Sequence, residues 1–373
     1  APAVQTCIDA SCANAYQVAT GAPMRELHIS KANIHDTKIV DVSPTPLAPG
    51  AARLKLDLFA LTSNNVTYAA MGEGMLGYWD FFPAPEGFGK VPVWGFGTVT
   101  ESNAPEIAVG SRFYGYYPLA ESLDVVPKKT ATGFIDTAAH RAPKAALYNV
   151  YTDTTADPGY DANYEPERTL FRPLYGTGWW AADFIKQGNA KTVVLSSASS
   201  KTALATAHQL RNLGGAEIIG LTSPGNEAYV RESGLYHRVA LYGDAASFKV
   251  EAPATYVDFL GRAELNATVH TALASALTRS IIIGVTDWQA PRGGEPLPGP
   301  KPEFFFVPTY AAERLKAEPA LMPAMGRDLR AFYPASHAFV DVKRIKGADA
   351  IQAAWTKLAA GKVPPRDGLV LSF

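Results

Sequence analysis

Cysteine is nearly missing: Cys7 and Cys12 are the only two in 373 residues, in a C-x4-C spacing near the start. A disulfide scaffold is therefore not expected, and the pair reads as two reduced thiols. Zinc has no ligand set either. The nearest histidines, His28 and His35, lack ligand spacing, and the seven histidines of the chain are scattered without pairs. Charge of one sign is lacking as well, with 34 Lys plus Arg against 35 Asp plus Glu and a formal net charge of −1. That balance removes any overall electrostatic reason to expect nucleic acid or an anionic membrane as partner. Long apolar runs are absent; stretches such as residues 280–285 and 304–307 are far too short to cross a bilayer. Residues 1–15 hold no basic segment followed by an apolar one, so no signal peptide is expected and the cytoplasm is the expected location.

What remains is an ordinary globular composition, 47% apolar and 18% charged. The length exceeds what one core usually supports, so two domains are expected. Residues 53–61 (RLKLDLFAL) alternate apolar and polar with a period of two, the pattern of a half-buried strand. Residues 91–100 and 111–118 are further β-rich runs punctuated by Gly95, Gly97 and Gly110. The texture changes after about Asp153. A polar, turn-rich stretch (154–166) leads into a helical pattern over 170–187, and short apolar strands then alternate with helices. Strands are expected at 191–196, 217–222 and 239–242, with helices at 201–213 and 226–233; segments 254–260, 266–277, 280–285 and 304–307 continue the series. That rhythm implies βαβ units and a parallel sheet. Residues 289–302 are a Pro- and Gly-rich loop, and the chain closes with 338–342, a helix at 348–360 and a strand at 368–373.

This ordered set resembles the medium-chain dehydrogenase/reductase superfamily, in its zinc-free quinone-reductase and enoyl-reductase branches. Residues 91–99 with 110–114 are similar to the family's glycine-rich strand and the turn after it. Residues 170–180, with Thr177 at the usual Thr-Ala position, look like the helix before the nucleotide domain. Residues 256–261 (YVDFLG) are similar to the family's V-D-x-x-G strand, and 361–373 to its closing G-K-x-V-L strand. The chain resembles a divergent branch catalogued as a domain of unknown function. The resemblance implies an α/β fold: a Rossmann doubly wound parallel sheet domain plus a β-rich GroES-like catalytic domain. The expected division is 1–153 catalytic, 154–308 dinucleotide-binding and 309–373 returning to the catalytic domain.

The central chemical signal is residues 191–204 (KTVVLSSASSKTAL), a strand running through tiny residues into a helix. Small residues let backbone N–H groups approach a pyrophosphate at the helix N-terminus. Where the family has three glycines this chain has Ser197, Ser200 and Ala203. The hydroxyls of Ser199, Ser200 and Thr202 can bond phosphate oxygens, and Lys201 adds a cation. At the end of the second strand, residues 221–226 carry no carboxylate, so nothing there repels a 2′-phosphate, and Ser223 and Asn226 can donate to one. The expected cofactor is NADP(H), with NADPH favoured over NADH. Tyr242 ends the third strand, where it either meets the adenine or packs as an aromatic. The resemblance places Thr177 against the nicotinamide.

For the chemistry, residues 62–79 (TSNNVTYAAMGEGMLGYW) match the family's order of Asn, then Gly, then a Tyr that protonates substrate, with two extra residues before the Tyr. Asn65, Gly74 and Tyr78 take those places, and Tyr68 stands where the family often has Asp. A phenol with an ordinary pKa near 10 is protonated at neutral pH and can act as a general acid. Both tyrosines read equally as cleft-wall aromatics. Arg172 is expected to pair with Glu165 or Glu167 rather than to bind substrate, and Trp94 and Phe96 to line pocket or core. The implied function is metal-free, NADPH-dependent reduction of an enone, quinone or related small apolar or aromatic carbonyl compound. The alternative readings keep the fold with a lost or repurposed cofactor site, as a lyase or hydrolase or as a non-catalytic binder. Family habit and the apolar strand at 280–285 suggest a homodimer.

Overall fold

The computed structural model describes residues 22–74, 77–247, 249–283 and 296–373. Its first part is strand-rich: β1 (Met24–Ser30), β2 (Thr37–Val42), β3 (Ala52–Leu61), β4 (Phe88–Gly89), β5 (Pro92–Ser102), β6 (Arg112–Pro118), β7 (Ser122–Val125), β8 (Pro127–Thr130), β9 (Gly133–Asp136) and β10 (Val150–Asp153). A short helix, α1 (Ser63–Ala70), and a 3-10 turn at Tyr78–Phe81 lie between β3 and β4. Strand β3 is central because Leu54, Leu56, Phe59 and Leu61 are almost wholly buried. It pairs antiparallel with β5, β7 and the last strand of the chain. Arg53, on the face expected to be polar, is buried and held by Asp124 and Glu101 at 2.7 and 2.9 Å. The polar face of the strand is therefore covered at Arg53, while Lys55 on the same face stays exposed.

The long helix α2 (Glu165–Lys186) leads into β11 (Thr192–Leu195), α3 (Lys201–Leu213), β12 (Glu217–Thr222), α4 (Glu227–Glu232), β13 (Arg238–Leu241), β14 (Ala254–Asp258), α5 (Ala263–Leu273), β15 (Leu277–Ile282) and β16 (Glu303–Phe304). These six strands form one sheet in the order β13-β12-β11-β14-β15-β16, every pair parallel. Numbered from β11, the order is 3-2-1-4-5-6, the Rossmann arrangement, with the binding crevice at the carboxyl ends of the strands where the order reverses. Residues 284 and 285 of the expected strand at 280–285, and 289–295 of the expected loop, lie outside the described residues, as do Cys7 and Cys12.

The rest of the chain is α6 (Val307–Ala317), α7 (Leu321–Ser336), β17 (Asp341–Lys346), α8 (Ala348–Ala359) and β18 (Asp367–Ser372). β18 pairs with β3, and β17 runs parallel beside β18, so the end of the chain completes the first sheet. Helix α7 packs with α2 and α3 in one apolar cluster through Leu329, Phe332 and Tyr333. That cluster also holds Ala60 of β3 and Val370 of β18, so α2 is buried between the two sheets.

Candidate functional site

Strands β5 and β6 pair with Trp94 opposite Tyr116 and Phe96 opposite Tyr114. Alternation then puts all four rings on one face of the sheet. Trp94 stacks on Tyr114, with centroids 5.9 Å apart, and leans on Tyr116 at 4.8 Å. Tyr68, from α1, meets Tyr116 edge-on at 6.0 Å, and Tyr78 lies 4.3 Å from Tyr68. The two phenols of the sequence motif therefore touch. Tyr148 closes the group, 4.9 Å from Tyr116.

The turn that carries Tyr78 is pinned from outside. Gly77 sits in the left-handed region at φ 53°, and Lys144 Nζ donates to its carbonyl at 3.0 Å while pairing with Asp80 at 2.9 Å. Tyr68 is buried, and its hydroxyl accepts from Asn64 Nδ2 at 2.7 Å. Tyr78 is only half-buried, which makes it the more accessible of the two. Burial pushes both phenols well above their ordinary range, and for Tyr78 the neighbouring Tyr68 and Tyr148 push the same way. Both stay protonated at every physiological pH, as hydrogen-bond donors or acids and not as bases. The indole N–H of Trp94 and the hydroxyl of Tyr116, both against Tyr68, have no hydrogen-bond partner of normal geometry among the described residues.

Asn65 has a different position. Its Oδ1 accepts from the Thr62 backbone N–H at 2.7 Å, and its Nδ2 donates to the Pro92 carbonyl at 2.8 Å. Both ends of the amide hold the start of α1 against β5, and the side chain is buried. Asn65 thus fixes the helix that presents Tyr68.

The loop after β11 turns at Ser197, whose φ of 49° is unusual for a residue with a side chain. Ser200 caps α3, its Oγ accepting from the Ala203 N–H at 3.3 Å. Ser199 Oγ accepts from Asn226 Nδ2 at 3.1 Å, joining the first and second βα turns. Ser199, Ser200 and Thr202 stay partly exposed, as do Ser223 and Asn226. Ser196 is buried and bonds Asp258 at 2.9 Å, which locks β11 to the end of β14. Lys201 does not point into the loop. Its ammonium donates to the carbonyls of Pro365 and Asp367 at 3.0 and 2.8 Å. Enclosure lowers its pKa to about 8, against the opposing pull of Asp367. The cation is spent on the return segment, so it is not a free phosphate ligand in this arrangement. Tyr242 begins a 3-10 turn after β13 and packs on the apolar cluster of Leu221 and Tyr256.

Thr177 donates its hydroxyl to the Pro173 carbonyl one turn back along α2, at 3.0 Å, and remains half-buried. Arg172 corrects an expectation: it pairs with neither nearby glutamate. Glu165 is taken by Arg112 and Tyr160, and Glu167 accepts from His337 Nε2 at 2.8 Å. The Arg172 guanidinium lies instead over the Tyr114 ring, 4.5 Å from its centroid. Tyr114, Tyr116 and Tyr148 were not singled out from the sequence. The period-two aromatics in 113–117 (FYGYY), set opposite 94–96 (WGF), are the signal that would have found the first two.

The parallel sheet ordered 3-2-1-4-5-6, closed against a strand-rich domain completed by the end of the chain, is the fold of the medium-chain dehydrogenase/reductases. The chain belongs to the family described as "Protein of unknown function (DUF2855)", whose model matches residues 59–364. Solved structures of the same fold include CurA from Vibrio vulnificus in complex with NADPH, at 12% identity and a TM-score of 0.65 over 93% of this chain and 98% of that one. A putative NADPH:quinone reductase from Mesorhizobium loti matches at 13% identity and a TM-score of 0.61 over 95% of this chain and 99% of that one. The yhdH oxidoreductase from Salmonella enterica in complex with NADP matches at 15% identity and a TM-score of 0.54, over 94% and 99%. No curated protein sequence matches the chain. At these identities the likeness is one of fold. Among the described residues no helix is long and apolar enough to cross a membrane, and no group of three or more His, Cys, Asp or Glu could hold a metal ion.

Proposed function

We propose that the chain is an NADPH-dependent reductase of an enone, quinone or related carbonyl compound, working without a metal. The observation that carries this reading is the contact pair Tyr68–Tyr78, two phenols kept protonated on an aromatic floor, with α2 packed on the same sheet. The residues present fit a dinucleotide. The loop keeps a left-handed turn at Ser197 and a capped helix N-terminus, whose first N–H groups have no intrahelical acceptor. Thr222, at the end of β12, has a buried hydroxyl without a partner among the described residues. The next carboxylate along the chain, Glu227, is occupied by Arg231 at 2.7 Å. Ser197, Ser199, Ser200 and Thr202 would hold the pyrophosphate, Ser223 and Asn226 the 2′-phosphate, Tyr242 the adenine and Thr177 the nicotinamide. Lys201 would act through the loop it anchors.

When bound, the nicotinamide supplies a hydride to an electrophilic carbon. The chain's own part is to orient and to protonate. The Tyr78 phenol donates a hydrogen bond to the substrate oxygen that gathers charge, then its proton, and Tyr68 is the alternative donor. The aromatic floor selects a small apolar or aromatic substrate and keeps water from the reacting atoms. A soluble homodimer in the cytoplasm, divided at 153 and 308, completes this reading.

Calorimetric titration of NADPH and NADH, followed by nicotinamide absorbance with a panel of enones and quinones, tests it. NADPH should bind more tightly than NADH and be oxidised by at least one panel member. Equal affinities would remove the second-strand argument. Absence of binding by either would overturn the reductase reading and favour a repurposed loop.

A further inference from the structure

Where α2 crosses β6, four polar groups meet from three elements. Arg168 and Arg172 both lie over the Tyr114 ring, at 5.1 and 4.5 Å, and Tyr333 of α7 stands in electrostatic contact with both arginines and with Tyr114. Tyr114 and Tyr333 are each 1% exposed, yet neither hydroxyl has a hydrogen-bond partner among the described residues. Buried hydroxyls are rarely left so, and each calls for an explanation. The charges are unequal as well. Arg168 is neutralised by Asp157 and also donates to the Gly159 carbonyl at 2.8 Å. Glu167 is engaged by His337. Arg172 has only the Tyr114 ring, with no hydrogen bond or ion pair among the described residues. Arg172 is half-buried, and a cation drawn partly out of water without an ion pair is costly to keep. Its surroundings show that cost, since burial and the adjacent Arg168 both disfavour its charge.

Arg172 and Gly176 keep this group within reach of solvent, since both are only half-buried. Gly176 lies one turn after Arg172 on the same face of α2, and a Cβ added there would meet nothing within 4 Å. The group also adjoins the candidate active site, because Tyr114 stacks on Trp94, which touches Tyr116, which touches Tyr68.

We propose that Arg172, with the hydroxyls of Tyr114 and Tyr333, binds a carboxylate of the substrate, so that the carbonyl compound reduced carries a carboxylic acid at the end remote from its reacting carbonyl. One guanidinium with no ion-pair partner and two unpartnered hydroxyls match a monoanion with two acceptor oxygens. A phosphate dianion would leave one negative charge unmatched beside Glu167 and Asp157. The body of such a compound lies along Trp94 and its reacting end reaches toward Tyr78. The reaction rests on the reductase reading above; the binding does not.

Calorimetry on the full chain tests it, with trans-cinnamate as probe, cinnamamide as the neutral isostere and inorganic phosphate as the other anion, each with and without NADPH. Cinnamate should bind at least about tenfold more tightly than the amide, and Arg172→Gln should remove that preference, as expected for one charge-assisted contact. Tyr333→Phe and Tyr114→Phe delete only a hydroxyl each and should weaken cinnamate several-fold while leaving cinnamamide unchanged; they serve if Arg172→Gln does not fold. Equal binding of the acid and amide, no binding of cinnamate at millimolar concentration, or phosphate bound as tightly as cinnamate would each overturn the proposal. So would an Arg172→Gln protein that loses NADPH affinity but keeps cinnamate, since the cation would then belong to the cofactor. Cinnamate bound by a chain that takes up no NADPH would uphold this site and remove the reductase reading. NADPH bound without any cinnamate would do the reverse.

Discussion

Tyr78 and Tyr68 touch, but their surroundings separate their roles. The Tyr68 hydroxyl is buried and already accepts from Asn64, whereas Tyr78 is half-buried beside it. Replacing Tyr78 by Phe keeps the ring against Tyr68 and removes only the hydroxyl with its proton. Turnover should then fall by about 10²–10⁴-fold, the usual contribution of a general acid, with cofactor affinity unchanged. Steady-state rates of the variant would check this, and a loss below about tenfold would leave Tyr78 a wall residue. Tyr68→Phe is the comparison; a larger loss there would move the acid one ring inward. At this scale the sequence was legible in residue type more than in partner. It put Tyr68 and Tyr78 in one segment, and the structure puts them in contact. It could not say that Glu165 answers to Arg112, because Arg112 arrives from a strand 53 positions away in sequence. Nor could it show that Lys201 is drawn onto carbonyls 164 and 166 positions further on. A charged side chain's choice of partner is settled by tertiary contacts that local spacing does not encode.

Elements were easier to read where periodicity and punctuation agreed. The expected helix at 201–213 and strand at 217–222 match α3 and β12, since an apolar run ending in Gly214 and Gly215 marks its own limits. Helix α7 escaped because Pro323, Gly326 and Pro334 interrupt its pattern, and packing of Phe332 and Tyr333 on α2 outweighs that local cost. Helix α1 escaped because Ser63, Asn64 and Asn65 read as loop, yet Asn65 serves there as a cap. Two glycines of α2 make a paired test of what the helix does. A Cβ on Gly178 would stand 2.8 Å from the backbone N of Thr206, so α2 and α3 approach each other only because that atom is missing. Gly178→Ala should destabilise the chain by about 1–3 kcal/mol, the usual cost of overpacking, despite the better helix propensity of alanine. Gly176→Ala meets open space and should instead stabilise by roughly 0.5–1 kcal/mol. Urea unfolding of both variants would decide. The same sign for the two would mean that the helix crossing does not depend on Gly178.

At the scale of the whole molecule, Lys201 is where the two sheets communicate. It stands at the first turn of α3, directly after the cofactor loop, and donates to carbonyls at the start of β18; β18 pairs with β3, the strand that leads into α1. The clamp therefore ties the proposed phosphate loop to the strand that presents the phenols. It also carries a pH signature whose sign is fixed by the lowered pKa, about 8 in the folded chain against an ordinary 10.5. Between those values the unfolded chain binds more protons at this residue than the folded chain does. Stability contributed by Lys201 therefore rises as pH climbs from about 8 toward 10.5 and is constant below about 7, where the ammonium is charged in both states. Lys201→Met keeps the stem and removes the titrating group. Urea unfolding of both proteins from pH 6.5 to 10.5 should show the wild type gaining on the variant by on the order of 2 kcal/mol across the upper part of that range. Taking the difference between the two proteins cancels every other group that titrates there. A gap that narrows with rising pH would mean that the ammonium is better solvated by Pro365 and Asp367 than by water. Lys201 would then be a charged anchor whose clamp weakens as its proton is lost.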